Sequence, residues 1–351
     1  MHLFCQFESQ YRLMHFQNHK FLTCITYFDV NLPFLHLKHK EVSTPFKILS
    51  YKEKQKDKNN FSKELGDNLN QWGFVGIKEH TIDRDLVKDV ISLFAEFFNL
   101  TDDIKESYYN PNLGGARGYT PIKIETPKGG KSPDIKEFWH VGRSLDSDDP
   151  YRKWMHDNYL ISEIPELSEK ADVLFTQFDE LGKNLLESIA LYLNLENDYF
   201  SNVVDKGNSV MRAIHYPPVK NNEIGERAGA HEDINLITLL IGGHKSGLEI
   251  LSQEGEWQDA TVDEDVIICN IGDMLQRLTN NYMRSTTHRV SASLFQSESS
   301  RYSIPFFVHP NPDWLISTLP SCYDENRPNQ YTESILAEDY LRERLKEIKL
   351  I

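Results

Sequence analysis

The periodicity of apolar residues changes once along the chain, and this change restricts the fold more than any other feature. In the first two hundred residues, apolar residues recur at helical spacing, as in the long segment 165–194, which is typical of amphipathic helices. From Val210 onward they alternate in short runs separated by Gly, Asn, Asp and Ser, the pattern of strands and turns. Helices followed by strands exclude a doubly wound parallel sheet. They favour an α+β fold with a mainly β core, a jelly roll.

Two segments far apart in the sequence carry candidate metal ligands. In His231-Glu232-Asp233, strand alternation directs the imidazole and the Asp233 carboxylate to one side and Glu232 to the other. His288 lies in another predicted strand, 287–294, and supplies a third ligand. Two histidines and one carboxylate on one face of a metal form the facial triad of non-haem Fe(II) oxygenases, which leaves three coordination positions open. The sequence therefore predicts an iron site built from His231, Asp233 and His288.

A candidate carboxylate-binding pair follows these ligands. Arg301 and Ser303 are two residues apart on one predicted strand, so their side chains face the same side. A guanidinium next to a hydroxyl binds a carboxylate well, because the planar fork of arginine matches the two carboxylate oxygens. His-x-Asp alone occurs often by chance, but the combination with this pair makes the pattern specific.

These residues resemble the 2-oxoglutarate- and Fe(II)-dependent oxygenases of the isopenicillin N synthase-like family. The matching motifs are His231-x-Asp233, His288, Arg301-x-Ser303 and Tyr216. The resemblance covers about residues 46 to 345 and implies a distorted double-stranded β-helix buttressed by N-terminal helices. It also implies Fe(II) as the metal and 2-oxoglutarate as the co-substrate, whose far carboxylate is bound by the Arg-x-Ser pair and the tyrosine.

Three further residues are candidate contacts of the primary substrate. The region 110–130 is rich in Gly and Pro and is expected to be a loop, and in the resembling family this loop lies over the mouth of the active site. By that resemblance Arg117 and Tyr119 contact the substrate; the alternative is that they only pack the lid. Arg212 precedes Tyr216 by four residues. It either points inward and holds an acidic group of substrate or co-substrate, or forms an outward salt bridge.

The resemblance implies an enzyme that couples oxidative decarboxylation of 2-oxoglutarate to hydroxylation, desaturation or ring modification of a small molecule. Two alternatives stay open at this point. One is an oxidase like isopenicillin N synthase, which takes no keto acid. The other is a metal-binding jelly roll without turnover, against which the complete triad and the carboxylate-binding pair argue, because the fold needs neither of them for its stability.

Charge and cysteine content restrict the partners and the compartment. The formal net charge of -15 argues against nucleic acid and anionic membranes as partners, since a phosphate backbone requires a basic patch. The predicted partners are a small-molecule substrate and dioxygen. The four cysteines show neither paired spacing nor a Cys-x-x-Cys motif, so neither a disulfide framework nor a zinc ribbon is indicated. A reducing, cytoplasmic location is expected.

The sequence divides into four predicted regions: an extension (1–45), a region of helices and strands (46–200), the jelly-roll core (201–320) and a C-terminal helical region (321–351). In the second region, segment 52–58 alternates charges and is expected to be a solvated turn or loop. The extension lacks a signal-peptide pattern, and polar residues interrupt its apolar ones too often for a membrane span. It is expected to pack loosely or to be disordered, or to reflect a start codon assigned too early.

Removing the extension should leave the activity intact. Residues 1–45 contribute no candidate ligand and show no sustained apolar period that obliges them to pack. A protein that starts near Thr44 should therefore bind iron and turn over 2-oxoglutarate like the full chain. Its Tm should lie within a few degrees of the full-length value, because exposed termini tolerate trimming. Iron content, succinate release and thermal unfolding check this, and aggregation or loss of iron would show that the segment belongs to the fold.

Overall fold

A computed structural model of the protein describes residues 44–125, 133–218, 227–242, 247–291 and 300–348. The predicted extension lies outside these residues, apart from its last two. Two β-sheets of unequal size, a layer of helices and a short two-stranded ribbon make up the described structure. Within these residues, no helix has both the length and the apolar character needed to cross a bilayer.

The larger sheet has eight strands that come from both halves of the chain. In spatial order they are β1 (Ile48–Ser50), β2 (Phe74–Lys78), β10 (Ile267–Ile271), β7 (Ile237–Ile241), β12 (Arg301–Val308), β5 (Val210–Tyr216), β4 (Glu137–Gly142) and β3 (Gly118–Thr120). β1 and β2 are parallel, and all other neighbouring pairs are antiparallel. The alternating runs predicted after residue 210 are present as β5, β7, β10 and β12. β3 lies inside the region that was expected to be a loop.

The smaller sheet has four antiparallel strands. Their order is β6 (Ala228–His231), β11 (His288–Val290), β8 (Leu248–Leu251) and β9 (Trp257–Asp259). His288 is the register partner of His231, so two candidate ligands from distant segments become neighbours across strands. The two-stranded ribbon consists of β13 (Leu315–Ile316) and β14 (Ile335–Leu336).

The two sheets face one another across two clusters of buried apolar side chains. The first cluster combines Phe74 and Ile268 of the larger sheet with Leu248 and Ile250 of the smaller, and the second combines Phe138, Ile214 and Tyr216 with Ala228 and Val290. This arrangement is a jelly roll, a distorted double-stranded β-helix. The predicted α+β class with a mainly β core is confirmed. Side chains from strands far apart in sequence can therefore meet between the sheets.

The helices are α1 (Lys52–Lys56), α2 (Lys58–Trp72), α3 (Arg84–Phe98), α4 (Asp102–Ser107), α5 (Pro165–Tyr192), α6 (Asp273–Leu278) and α7 (Ala337–Glu347). α5 packs against β4, β7 and β12, on the outer face of the larger sheet, and α2 and α3 pack against α5. The Phe178 ring of α5 stacks on Phe306 with 5.2 Å between centroids. Since Phe306 points at the helices, strand alternation turns Arg301 and Ser303 to the opposite side, between the sheets.

Segment 52–58, which was expected to be a solvated turn or loop, forms helix α1 and the start of α2, with Asp57 between them. Lys54 is buried, and its ammonium lies 2.7 Å from a carboxylate oxygen of Glu187 in α5. It also donates to the backbone carbonyl of Asn184 at 2.8 Å. The Asp57 side chain then caps α2. The alternating charges alone did not predict this, because the groups that satisfy Lys54 lie in a distant helix.

Gly73 is expected to tolerate no side chain. It ends α2 in the left-handed conformation, with φ of 70°, which favours glycine. A Cβ there would lie 2.2 Å from Thr286 Oγ1 and 2.9 Å from the Arg284 carbonyl oxygen. Gly73→Ala should lower the free energy of unfolding by about 1–3 kcal/mol, as measured by urea denaturation. The control is Gly255→Ala, which has φ of 84° but whose added Cβ would meet nothing within 4 Å. Equal losses in both variants would show that the contact with Thr286 contributes nothing.

Candidate metal centre and active site

The structure brings His231, Asp233 and His288 together between the two sheets. One ligand atom from each lies within 4.8 Å of the others. The Asp233 Oδ1 atom is 3.8 Å from Nε2 of His231 and 3.8 Å from Nε2 of His288. Donors that bind one ion at roughly 2.0–2.2 Å lie about 3 Å apart when they are adjacent and up to about 4 Å apart at wider angles. The two 3.8 Å distances from Asp233 fall within this range, so the carboxylate and either imidazole can bind the same divalent ion.

Backbone carbonyls hold both imidazoles in the tautomer that binds metal. The Nδ1 atom of His231 lies 2.8 Å from the Gly229 carbonyl oxygen, and that of His288 lies 3.1 Å from the Thr286 carbonyl oxygen. Because a carbonyl can only accept, each Nδ1 carries the proton and each Nε2 presents a lone pair toward Asp233. Burial and the neighbouring His288 lower the pKa of His231 to about 4. That ring is therefore neutral at physiological pH.

The Asp233 carboxylate is held by the oxygen that faces away from the histidines. Its Oδ2 atom accepts hydrogen bonds from Thr238 Oγ1 at 2.6 Å and from Asn270 Nδ2 at 2.8 Å. Burial raises the pKa of Asp233, but the two imidazoles and these hydrogen bonds outweigh burial and hold it below its usual range. An ionised carboxylate with Oδ1 available, beside two imidazole Nε2 atoms, is the donor set of a facial triad.

The predicted carboxylate-binding group is assembled at the start of β12. Across the antiparallel strands β12 and β5, Arg301 lies opposite Tyr216 and Ser303 lies opposite Ile214. Arg301 is buried, and its Nη2 donates to the Gly242 carbonyl at 3.3 Å. Its guanidinium carbon lies 5.3 Å from the centroid of the Tyr216 ring. The guanidinium, the serine and the tyrosine ring thus occupy neighbouring positions on two paired strands.

A cavity of about 410 Å³ opens beside His231 and Asp233, a volume within the range of small-ligand sites. Its polar lining includes Arg117, Glu125, Asp134, Lys136, His140 and Arg212. Its apolar lining includes Val210, Phe307, Leu341 and Leu345. The described residues at its surface do not include Arg301, Ser303 or Tyr216. The predicted carboxylate-binding group therefore contributes none of the described residues at the surface of this cavity.

Two of the three candidate substrate contacts lie at this cavity. Arg117 and Arg212 line it, whereas Tyr119 does not. Tyr119 is the register partner of Trp139, on the strand face that packs against α3, and its hydroxyl donates to Glu137 at 2.5 Å. Strand alternation explains the position of Tyr119, because side chains on that face point away from the space between the sheets.

β4 and α7 contribute further parts of the cavity wall. His140 faces the cavity because it lies two residues after Phe138 and opposite Arg212 in register. Leu341 and Leu345 of α7 also line it. Their spacing of four residues is the signal of a shared helical face, but only the tertiary fold shows that this face covers the cavity.

Two protein-family models match the chain. The first, described as the non-haem dioxygenase in morphine synthesis N-terminal region, matches residues 45–163, and the second, the 2OG-Fe(II) oxygenase superfamily, matches residues 207–310. The second range contains all three candidate metal ligands and the Arg-x-Ser pair. Among curated relatives, the 2-oxoglutarate-Fe(II) type oxidoreductase hxnY of Emericella nidulans is 31% identical over 282 residues, which are 77% of this chain and 79% of that protein.

Solved structures with the same fold cover most of the chain. A 2OG-Fe(II) oxygenase family protein from Caulobacter crescentus has a TM-score of 0.81 and 40% identity, covering 88% of this chain and 100% of that one. A full-length Neurospora crassa protein, solved in complex with alpha-KG and thymine, has a TM-score of 0.75 and 28% identity, covering 87% of this chain and 98% of that one. The chain belongs to the 2OG-Fe(II) oxygenase superfamily.

Proposed function

We propose that this protein is a 2-oxoglutarate-dependent Fe(II) dioxygenase that oxidises a small molecule, with iron held by His231, Asp233 and His288. The observation that carries the proposal is the convergence of three ligand atoms within 4.8 Å, in side chains whose other polar atoms already bond to the protein. When bound, iron and the keto acid supply the oxidative decarboxylation that gives succinate and carbon dioxide and drives oxidation of the substrate.

The chain itself contributes prearranged donors. Gly229 and Thr286 fix the two imidazole rings through their carbonyls, and Thr238 and Asn270 fix the Asp233 carboxylate. Ligand side chains that are already oriented lose little conformational freedom when a metal binds. Hydrogen bonds that orient the ligands in this way raise metal affinity. The donor set is therefore shaped for metal before any ion arrives.

Arg301, Ser303 and Tyr216 are proposed to bind the far carboxylate of 2-oxoglutarate. Arg301 is only 4% exposed, and a guanidinium in such surroundings interacts strongly with a carboxylate, because water screens the pair little. Ser303 shares its strand face, and Tyr216 lies opposite Arg301 in register. The buried group thus offers a charge-assisted bidentate contact together with two hydroxyls.

The relatives favour this function over the two alternatives. Relatives such as htyE of Aspergillus rugulosus are named 2-oxoglutarate-dependent dioxygenases, and the similar Neurospora crassa protein was solved with alpha-KG. These names support keto-acid dependence over a keto-acid-independent oxidase. They also support turnover over a metal-binding jelly roll without catalysis.

A cytoplasmic location, without nucleic-acid or membrane partners, is part of the same proposal. Cys269 and Cys322 are both buried free thiols, which suits a reducing compartment. The net charge of -15 disfavours polyanionic partners.

Purified protein supplied with Fe(II) and 2-oxoglutarate, but with no primary substrate, tests the function. Slow uncoupled turnover should release succinate and consume oxygen, and a chelator should stop both. Oxygen uptake without succinate would favour the oxidase. Absence of both activities in protein that retains iron would favour a metal-binding jelly roll without turnover.

Thr238→Val should weaken iron binding without removing a ligand. Valine has a similar shape but cannot donate to Asp233 Oδ2, so the carboxylate loses one of its two orienting hydrogen bonds. We expect iron affinity to fall by about tenfold to a hundredfold, as measured by competition with a chelator. Thr176→Val is the matched control, because Thr176 donates only to the Asp172 carbonyl on the exposed face of α5. A similar loss of affinity in both variants would contradict the proposed contact.

A further inference from the structure

The cavity next to the metal ligands contains charged groups that the proposed iron and co-substrate sites do not use. Lys136 lies 2.6 Å from a carboxylate oxygen of Glu125 and 2.7 Å from one of Asp134. Arg212 lies 3.3 Å from the other oxygen of Glu125. Two cations and two carboxylates are therefore paired with one another inside the cavity wall.

The Arg212 guanidinium is held in one orientation. Its Nε donates to Nε2 of His140 at 2.6 Å, and Nδ1 of the same ring bonds to the Gly115 carbonyl. Because the carbonyl requires a donor, His140 is neutral, with the proton on Nδ1 and an acceptor at Nε2. Burial and the adjacent Arg212 keep the pKa of His140 well below its usual range. His140 thus acts as a fixed acceptor that positions Arg212.

One nitrogen of Arg212 remains for a ligand. The guanidinium carbon lies 4.2 Å from the centroid of the Phe138 ring and 5.2 Å from that of Phe307, so aromatic rings limit its movement. Nε and Nη1 are engaged by His140 and Glu125. Among the described residues, no acceptor takes a hydrogen bond from Nη2. This nitrogen belongs to a side chain that lines the cavity.

Arg117 adds a positive charge that forms no salt bridge with a described carboxylate. Its donors go to backbone carbonyls, Nε to His156 at 3.1 Å and Nη1 to Ala116 at 2.6 Å. The guanidinium lies against Gly142, where a Cβ would be 1.9 Å from the guanidinium carbon, and Gly142 is two residues after His140 on the same strand face. Burial lowers the pKa of Arg117 to about 10, so it stays charged at neutral pH. Arg117, Arg212 and Lys136 thus place three positive charges beside the two carboxylates of Glu125 and Asp134 in this part of the cavity wall. The remaining charged side chains of the lining are Glu232, Asp233 and Arg344.

Arg212 lies far from the proposed co-substrate group. Tyr216 marks the Arg301 end of β5, and Arg212 lies four residues earlier on the same strand face. At about 3.3 Å per residue, the two positions are roughly 13 Å apart along the strand. An anion that binds Arg212 is therefore a different group from the carboxylate that binds Arg301.

We infer that the primary substrate is a small organic acid whose carboxylate is bound by Nη2 of Arg212 and balanced by the charge of Arg117. The apolar remainder of the molecule packs on Phe307, Leu341 and Leu345, which line the same cavity. The inference rests on the proposed function, because that function assigns the cavity to the primary substrate. A volume of about 410 Å³ restricts the ligand to a small molecule.

Matched acids and amides test the inference. The probes are phenylacetate, 4-phenylbutyrate and cyclohexanecarboxylate, each compared with its carboxamide. Binding is measured by calorimetry on protein loaded with Fe(II) and 2-oxoglutarate without oxygen. At least one acid should bind at least about tenfold more tightly than its amide, because a charge-assisted hydrogen bond is lost in the amide. Arg212→Gln should abolish this difference. Arg84→Gln, at a side chain 59% exposed and paired with Asp265, should retain it.

A second variant tests the charge separately. Arg117→Gln leaves the Arg212 contact in place and should reduce the acid-to-amide affinity ratio at least about threefold. The inference is overturned if no acid binds, if acids and amides bind equally, or if the ratio is unchanged in Arg212→Gln or in Arg117→Gln. Succinate release by the unmodified protein without substrate tests the proposed function, so the two can fail independently.

Discussion

Asp233→Ala is expected to abolish iron retention and 2-oxoglutarate turnover while leaving the fold intact. The substitution removes the anionic donor of the triad and leaves only the two imidazoles, which bind a divalent cation much more weakly. It also leaves the Thr238 hydroxyl and the Asn270 amide without the acceptor they now share. Removing a hydrogen-bond partner of a metal ligand costs about tenfold to a hundredfold in metal affinity. Loss of the ligand itself should therefore lower the affinity at least about a hundredfold.

Metal analysis after gel filtration, together with succinate release, measures this effect. Asp265→Ala is the control, because Asp265 is 40% exposed and pairs with Arg84 on the surface, and it should keep both properties. Thermal unfolding of the two variants shows whether the fold survives. An Asp233→Ala protein with full iron content and native turnover would show that another group holds the metal.

The helices that the sequence predicted are those with strong local signals. The long helix expected at 165–194 is observed as Pro165–Tyr192, with the proline in the first turn and an apolar stripe along its whole length. Gly73 ends α2 in the left-handed conformation, which favours glycine. Proline fixes φ in the first turn of a helix, glycine permits the left-handed conformation at its end, and apolar residues at helical spacing form a stripe. Each of these features depends only on residues that are close in sequence, so it can be predicted without knowing the tertiary structure.

β4 shows why other elements escaped prediction. All six of its residues are buried, because helices cover one face of the strand and the smaller sheet faces the other. Neither face is exposed to solvent, so neither face is distinguished by a run of polar residues. Its Glu137 is buried with Lys105 at 3.0 Å and His215 at 2.7 Å. These partners come from α4 and β5. A strand that satisfies its charges with distant groups has no alternation of apolar and polar residues for the sequence to reveal.

The metal ligands could be predicted from neighbouring residues, whereas the cavity could not. His231 and Asp233 lie two residues apart on an extended segment, so their shared direction was a local inference. Whether Arg212 points inward was left open, because it depends on which face of β5 meets the smaller sheet. The structure places Arg212 opposite His140 and at the cavity. The side chains that surround the cavity come from several separate segments, whose meeting only the tertiary fold determines.

Arg301→Ala is expected to raise the apparent KM for 2-oxoglutarate by about tenfold to a thousandfold, because losing a bidentate charge-assisted contact in a buried site costs about 2–4 kcal/mol. The contact is made to the far carboxylate, away from the reacting end of the keto acid. It therefore stabilises the ground state and the transition state alike, and kcat at saturating 2-oxoglutarate should change much less than KM. Arg301→Lys keeps the charge but loses the planar fork, so its KM should lie between those of the native and alanine proteins.

Initial rates of succinate release at varied 2-oxoglutarate concentration measure this effect. Arg143→Ala is the matched control, because Arg143 is similarly shielded, with its side chain 14% exposed, but pairs with Asp179 of α5 on the helical side of the fold. It should lower stability without changing KM. If KM rose equally in the Arg143 and Arg301 variants, the effect would come from general destabilisation of the fold. If KM stayed native in Arg301→Ala, the keto acid would have to bind through another cation. Arg212 in the adjoining cavity would then be the first candidate, because its Nη2 nitrogen is already oriented and available.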